Sequence, residues 1–217
     1  DAALRKNLLS KVRMFFYSGA GLSQPVWDSL HATQEAELGE RIVMATGLGM
    51  TESAPSAMFV NSIDVKAGDI GAPVPGMTLK LVPVDGKTEV RYRGPNVTPG
   101  YWRTDAATRD AFDEEGYLCT GDAVLWIDPD NIHRGLKFDG RIAEDFKLST
   151  GTFVSVGPMR AKIIAAGAPY VQDVVLTGIN GKEVGALLFP TPAVRQLAGL
   201  PADAPLQDVD QFEADAL

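Results

Sequence analysis

The chain has 217 residues, of which 45% are apolar, and it carries a formal net charge of -8. This length and composition suffice for a packed core in one or two domains, and they argue against disorder over the whole chain. The negative charge argues against partners that need a basic face, such as nucleic acid or an anionic membrane surface.

The first 65 residues have the pattern of an α/β fold. Apolar residues recur at a spacing of four over residues 2–12, which predicts a helix, and the apolar run at 14–17 is typical of a buried strand. Ser23, followed by Pro25, marks the start of a second helix that ends near Gly39. A second strand is predicted at 41–45.

The order strand, helix, strand predicts two neighbouring parallel strands with a right-handed crossover. The loops that follow the two strands, residues 18–21 and 46–52, are both rich in glycine. Because the carboxyl ends of parallel strands lie at one edge of a sheet, where α/β proteins bind ligands, we expect both loops to face one site.

From Gly68 the pattern changes to short alternating runs separated by proline, glycine and Asp-Gly, which predicts a small antiparallel barrel or meander. After Arg141 the order is strand, turn, strand, helix and a hairpin around Asn180-Gly181. The predicted fold is therefore α/β: a parallel-sheet α/β segment (1–65), a small antiparallel β-barrel (66–141) and a small C-terminal α+β domain (142–217).

Cysteine and histidine content excludes several kinds of site. Cys119 is the only cysteine, so internal disulfides and thiolate zinc clusters are excluded. His31 and His133 are the only histidines, and we expect both to be structural or solvent-facing. No apolar run approaches the roughly 20 residues of a membrane span, and no leader sequence opens the chain, so we expect a cytoplasmic protein.

Several short motifs are weak when taken singly. Residues 46–52 could form a plain turn after a strand, and Asp122 could bond its own backbone in a β-turn. Their order is more specific, because the succession resembles the adenylate-forming acyl-CoA synthetases over nearly the whole chain. Residues 140–158 look most like the feruloyl-CoA (hydroxycinnamoyl-CoA) synthetases. The motifs are GMTES at 49–53, GAPVPG at 71–76, PGYWR at 99–103, GYLCTGD at 116–122 and GRIAEDFK at 140–147.

The resemblance implies an enzyme that uses ATP and Mg²⁺ to convert a carboxylic acid to an acyl-adenylate, and then transfers the acyl group to CoA. It implies that Glu52 holds the metal, that Thr51 contacts phosphate and that Lys147 serves thioester formation. The positions it assigns to the nucleotide are Gly19 and Ala20 at adenine, Gly47, Leu48 and Gly49 in the loop before Thr51, Asp122 at the ribose, and Arg141 near ribose and phosphate.

The sequence departs from the family pattern in three ways. Leu48 stands where the family usually has an aromatic residue that stacks on adenine. Ala143 stands where the family has an acidic or basic residue at the interdomain pivot, unless the register slips by one to Glu144. The lysine-bearing loop over the phosphates and the lysine near the carboxyl end have no counterpart. We therefore expect the middle-to-late part of a longer enzyme, and we expect the isolated chain to be inactive.

Other readings of the same motifs stay open. Acyl-AMP ligases that do not use CoA and the adenylation domains of peptide synthetases are close relatives within the superfamily. A degenerate, non-catalytic nucleotide-binding or partner protein would also account for Leu48 and the missing lysines. Small side chains near Gly47 fit a flat aromatic acid such as ferulate, but they also admit an alkyl chain, so the sequence does not identify the acid or the oligomeric state.

Overall fold

The computed structural model describes residues 2–19, 21–60, 62–201 and 203. The chain divides into two compact units, Asp1–Asp145 and Phe146–Leu217. The first unit contains both segments that the sequence suggested before residue 141, the α/β segment and the antiparallel β segment. Among the helices of these described ranges, none combines the length and the apolar character that crossing a membrane requires.

The first unit is built on one mixed sheet of eight strands, in the spatial order β1-β2-β3-β4-β8-β7-β6-β5. The strands β1 and β2 are parallel, and every other neighbouring pair is antiparallel. The strands are β1 (Met14–Phe16), β2 (Val43–Leu48), β3 (Met58–Val60), β4 (Asp69–Pro73), β5 (Thr78–Val84), β6 (Lys87–Arg93), β7 (Leu118–Trp126) and β8 (Leu136–Arg141). Its α-helices are α1 (Ala2–Leu9), α2 (Gln24–Leu38) and α3 (Asp105–Ala111), and its 3-10 turns are Thr51–Ser53, Ile132–Arg134 and Ile142–Glu144.

The predicted strand–helix–strand unit is confirmed, since β1 and β2 pair in parallel on either side of α2. Helix α2 has proline in its first turn and ends at Gly39, whose left-handed φ of 77° lets its N–H bond the carbonyl of Glu35. The second strand differs from the prediction, because it runs to Leu48 instead of ending at residue 45. Antiparallel pairing with β3, from Thr46 onward, extends it.

The predicted separate barrel is not confirmed. The antiparallel strands continue the same sheet that begins with the parallel pair, and β1 and β5 are its two edges. The β5–β6 hairpin does form at the predicted Asp85-Gly86 turn, where both residues have positive φ. One buried cluster lies against the antiparallel strands and includes Met58, Val90 and Tyr92, while a second lies against α2 around Trp27.

In the second unit, the part of the chain that the structure describes forms two small antiparallel pairs and two helices. Its elements are β9 (Phe146–Lys147), β10 (Phe153–Val154), α4 (Val156–Ala166), β11 (Val171–Thr177), β12 (Gly185–Pro190) and α5 (Val194–Leu197). Asn180, in the loop between β11 and β12, has a φ of 57°, a conformation that asparagine tolerates better than most residues.

Candidate functional site

A cleft of about 580 Å³ opens in the first unit where the two parallel strands end. Strand β1 ends at Phe16 and β2 at Leu48, and the loops that follow both strands contribute to its wall. This edge of a sheet is where α/β proteins bind ligands, and the volume is typical of small-molecule sites. The wall includes six residues that the sequence suggested for a nucleotide: Gly19, Gly47, Leu48, Gly49, Asp122 and Arg141.

The other residues suggested from the sequence do not line this cleft. Ala20 lies outside the described residues. Thr51 and Glu52 form the 3-10 turn directly after the second glycine-containing loop, but the cleft wall does not include them. Lys147 lies in β9 of the second unit, where its side chain is exposed and its carbonyl accepts the N–H of Asn180 at 3.0 Å. The roles suggested for these residues stay predictions.

The glycines at 47 and 49 are required by the packing of the backbone. A Cβ atom at Gly49 would overlap the carbonyl oxygen of Pro55, and one at Gly47 would overlap that of Met58. Side chains at these two positions would therefore force the loop away from its neighbours. Both glycines also line the cleft, so structural and ligand-binding explanations of them are compatible.

Asp122 is a buried carboxylate in the cleft wall. It lies on β7 opposite Arg141 on β8 and is only 2% exposed. The Nε atom of Arg141 lies 3.0 Å from Oδ1 of Asp122, but this oxygen accepts no hydrogen bond from the described residues. Burial raises the pKa of Asp122; Arg141 opposes this shift, and Glu144 and Glu89 add to it. A buried acceptor of this kind is suited to hydroxyl groups of a ligand.

A network of charges fixes the backbone beside Asp122. Gly121 has a φ of 70°, and its N–H donates to Oε1 of Glu89 at 2.9 Å. The other oxygen of this buried glutamate accepts from Nε of Arg91 at 2.7 Å, and Arg91 also donates to Asp113 at 3.1 Å. Because Glu89 is bonded on both sides, the irregular stretch of β7 that precedes Asp122 is held in one conformation.

The Glu52 segment is held from within and by a distant loop. The hydroxyl of Ser53, which is fully buried, accepts the N–H of Met50 at 3.0 Å and donates to its carbonyl at 3.1 Å. The carboxylate of Glu52 accepts the hydroxyl of Tyr101 at 2.8 Å. Sequence reasoning did not assign Tyr101 a role. Its place in the PGYWR motif draws attention to it, but the motif does not indicate that its hydrogen-bond partner is Glu52.

Aromatic side chains line the cleft although Leu48 replaces the expected ring. Phe16 stacks on Phe59 with centroids 5.6 Å apart, and Tyr17 contacts Trp27 edge-on. Phe138 also lines the cleft and has no aromatic partner among the described residues. The sequence analysis missed it.

A bulge in β8 brings Phe138 to the cleft together with Arg141. Residues three apart on a regular strand point to opposite faces, but β8 has one residue more than β7 between the pairs Asp122–Arg141 and Val124–Phe138. Gly140, with a φ of 94°, lies within this stretch. The extra residue allows both side chains to reach the same face.

Comparison with known proteins shows similarity to AMP-binding enzymes and acyl-CoA ligases. Residues 1–102 match the family model described as "AMP-binding enzyme". The chain is 33% identical over 192 residues to the human long-chain-fatty-acid–CoA ligase 6. This match covers 84% of the chain and 26% of that protein. It is 29% identical over 185 residues to the probable 4-coumarate–CoA ligase 1 of Dictyostelium discoideum, covering 82% of the chain and 32% of that protein.

Among solved structures, the adenylation domain of a carboxylate reductase from Mycobacterium chelonae matches with a TM-score of 0.63 and 26% identity. That match covers 85% of this chain and 27% of the solved chain. The chain thus spans about a quarter to a third of the length of the curated relatives reported above. The family model, the relatives and the fold together show that this chain is similar to AMP-binding enzymes.

Proposed function

We propose that this chain, as part of the AMP-binding enzyme superfamily, contributes the nucleotide site of an ATP-dependent acid–CoA ligase. In the first step, a carboxylate oxygen of the acid attacks the α-phosphorus of ATP, and the bond to pyrophosphate breaks. In the second, the CoA thiolate attacks the acyl carbon, the bond to AMP breaks, and the thioester forms. The observation that carries the proposal is that both glycine-containing loops line one cleft together with Asp122 and Arg141.

Asp122 is proposed to accept hydrogen bonds from the two ribose hydroxyls. Its burial, its acceptor without a hydrogen-bond donor and its place in the cleft wall support this role. Arg141, which is half-exposed beside it, carries the positive charge that a phosphate oxygen would meet. Gly19, Gly47 and Gly49 leave backbone accessible to the base.

Phe138 is proposed to stack on adenine, in place of the aromatic residue that the family usually has at the position of Leu48. It lines the cleft three residues before Arg141, and no described aromatic residue stacks on it. Stacking of a base on an aromatic side chain is worth about 1–3 kcal/mol, so Phe138→Ala is expected to weaken ATP binding roughly tenfold. Phe153→Ala, in the second unit, serves as the matched control, and equal ATP affinity in both variants would contradict the role.

Glu52 fits a magnesium ion held jointly with phosphate. The described residues contain no group of three or more His, Cys, Asp or Glu side chains that could enclose a metal. Mg²⁺ is commonly bound through one or two carboxylates together with substrate phosphates, so a single carboxylate matches its chemistry. When bound, the ion neutralises phosphate charge. Thr51, beside Glu52, is proposed to donate to a phosphate oxygen, and Lys147 to act in the thioester step.

The identity of the acid divides into two candidates. The hydroxycinnamates are favoured by the likeness of residues 140–158 to feruloyl-CoA synthetases and by the name of the Dictyostelium relative. Long-chain fatty acids are favoured by the human relative. We favour a hydroxycinnamate such as ferulate, because the likeness of residues 140–158 to the feruloyl-CoA synthetases lies in this chain's own sequence.

ATP–pyrophosphate exchange tests the proposal. It should be measured with ferulate, coumarate, benzoate and a fatty acid, on the 217-residue chain and on any longer protein of which it forms part. Acid-dependent exchange in the longer protein, with ferulate or coumarate preferred and none in the chain alone, is the expected result. Exchange in neither, despite ATP binding, would favour a non-catalytic nucleotide-binding protein. Preference for the fatty acid would overturn the hydroxycinnamate assignment.

A further inference from the structure

The loop that follows β6 is bonded directly onto the segment that contains Glu52. The side-chain amide of Asn96 donates to the carbonyl oxygens of Ser53 at 2.7 Å and Ser56 at 2.6 Å. The N–H of Thr98 donates to the carbonyl of Glu52 at 2.7 Å. These bonds join residues at least 40 positions apart in the sequence, so they fix the backbone of Glu52 against the antiparallel part of the sheet.

A fourth bond from the same loop reaches the carboxylate itself. The hydroxyl of Tyr101 donates to Oε1 of Glu52 at 2.8 Å. The backbone of Tyr101 is anchored as well, because its N–H donates to the hydroxyl of Thr108 in α3 at 2.9 Å. The preceding Gly100 packs so closely on Thr108 that a Cβ atom would lie 2.5 Å from its methyl group. The tyrosine hydroxyl therefore has a defined position although the residue is 39% exposed.

We propose that Tyr101 is a positioning residue that biases Glu52 toward binding a metal ion through one oxygen, and that it would thereby favour Mg²⁺ over Ca²⁺. The inference rests on the metal role proposed for Glu52. The hydrogen bond at Oε1 uses one of the two lone-pair sites of that oxygen, so Oε1 is the weaker and Oε2 the stronger ligand atom for a metal ion.

The preference follows from the coordination chemistry of the two ions. Mg²⁺ needs near-octahedral geometry at about 2.0–2.1 Å and is satisfied by a single carboxylate oxygen, with waters and phosphates as its other ligands. Ca²⁺ takes about 6–8 oxygens at roughly 2.3–2.6 Å and often binds both oxygens of one carboxylate. A carboxylate with one oxygen engaged by Tyr101 meets the first requirement better than the second.

ATP titrations of the 217-residue chain by calorimetry, in Mg²⁺ and separately in Ca²⁺, test the inference. Wild-type chain is expected to bind Mg-ATP more tightly than Ca-ATP. In Tyr101→Phe this ratio of affinities is expected to fall by roughly tenfold, mainly through tighter Ca-ATP binding, because one hydrogen bond to a carboxylate no longer opposes the two-oxygen contact. Tyr170→Phe, which removes a tyrosine hydroxyl from the second unit, should leave the ratio unchanged.

A second variant protects the test if Tyr101→Phe disturbs the loop. Thr108→Val removes the anchor of the Tyr101 N–H but keeps the phenol, and it should lower the ratio in the same direction by a smaller factor. A folded Tyr101→Phe chain with the wild-type ratio would overturn the inference and leave the proposed function intact. A wild-type chain that binds ATP with neither metal would overturn both.

Discussion

Replacing Asp122 by asparagine is expected to stabilise the first unit at neutral pH while it weakens nucleotide binding. The Asp122 side chain is 3% exposed, and burial raises its pKa above the ordinary value of 3.8. A raised pKa means that the native state binds the proton more tightly than the unfolded state. The charged form therefore costs stability as the pH rises above 3.8, and the cost is complete once the pH exceeds the raised pKa. An amide of the same shape avoids this cost.

The contribution that opposes this gain is the ion pair with Arg141. Because the Arg141 side chain is 51% exposed, solvent screens the pair, which is worth no more than about 1 kcal/mol. We expect a net gain in the free energy of unfolding on the order of 1 kcal/mol, or roughly 2–4 °C in melting temperature. Exchanging a charged acceptor for an amide should cost ATP binding about 1.5 kcal/mol, which is roughly tenfold.

Thermal melts at pH 7 and pH 4, together with ATP titrations at pH 7, measure both effects. The stability difference should shrink as the pH falls toward 3.8, because the aspartate is then increasingly protonated in both states. Asp130→Asn makes the same charge change at an exposed position and is the control. An Asp122→Asn protein that is less stable at pH 7, or that binds ATP as tightly as wild type, would refute the reasoning.

Two further substitutions test the packing that positions the site. Gly49→Ala should lower the free energy of unfolding by at least about 1–3 kcal/mol, because the new methyl group meets the carbonyl of Pro55. Lys87→Met should cost about 3–5 kcal/mol, because the Lys87 ammonium lies 2.6 Å from the buried carboxylate of Asp145, and its removal leaves that charge without this cation. Urea denaturation of each variant measures both costs.

Each of these variants has a matched control in the same unit. Gly21→Ala adds a methyl group where, apart from its chain neighbours, no atom of the described residues lies within 4 Å, and Lys137→Met removes an exposed ammonium. Both controls should stay close to wild-type stability. If Gly49→Ala were no less stable than Gly21→Ala, close backbone contact would not be the reason for glycine at 49. A Lys87→Met protein as stable as Lys137→Met would show that the buried pair contributes nothing net.

The elements that the sequence predicted well depend on local signals. The apolar run at 14–17, Pro25 and the left-handed position of Gly39 act within a few residues of each other, so the β1–α2–β2 unit could be recognised without knowledge of the fold. The single eight-stranded sheet could not be predicted from local signals, because it depends on pairing between β4 and β8. Three strands lie between these two along the chain.

The candidate site was predictable in part. The convergence of the two loops follows from parallel pairing, and the resemblance to a family indicated Asp122 and Arg141. Phe138 was missed because an alternating pattern places it on the face opposite Arg141, and only the bulge in β8 reverses this. The bond of Tyr101 to Glu52 joins residues 49 positions apart, so no local pattern could indicate it.

The most direct test of the nucleotide site is a calorimetric titration of ATP into the 217-residue chain in the presence of Mg²⁺, repeated with AMP as competitor. Saturable binding at one site, displaced by AMP, is the result that the cleft of Asp122, Arg141 and the two glycine-containing loops predicts. Absence of saturable binding, or binding that AMP does not displace, would contradict the assignment of this cleft to an adenine nucleotide.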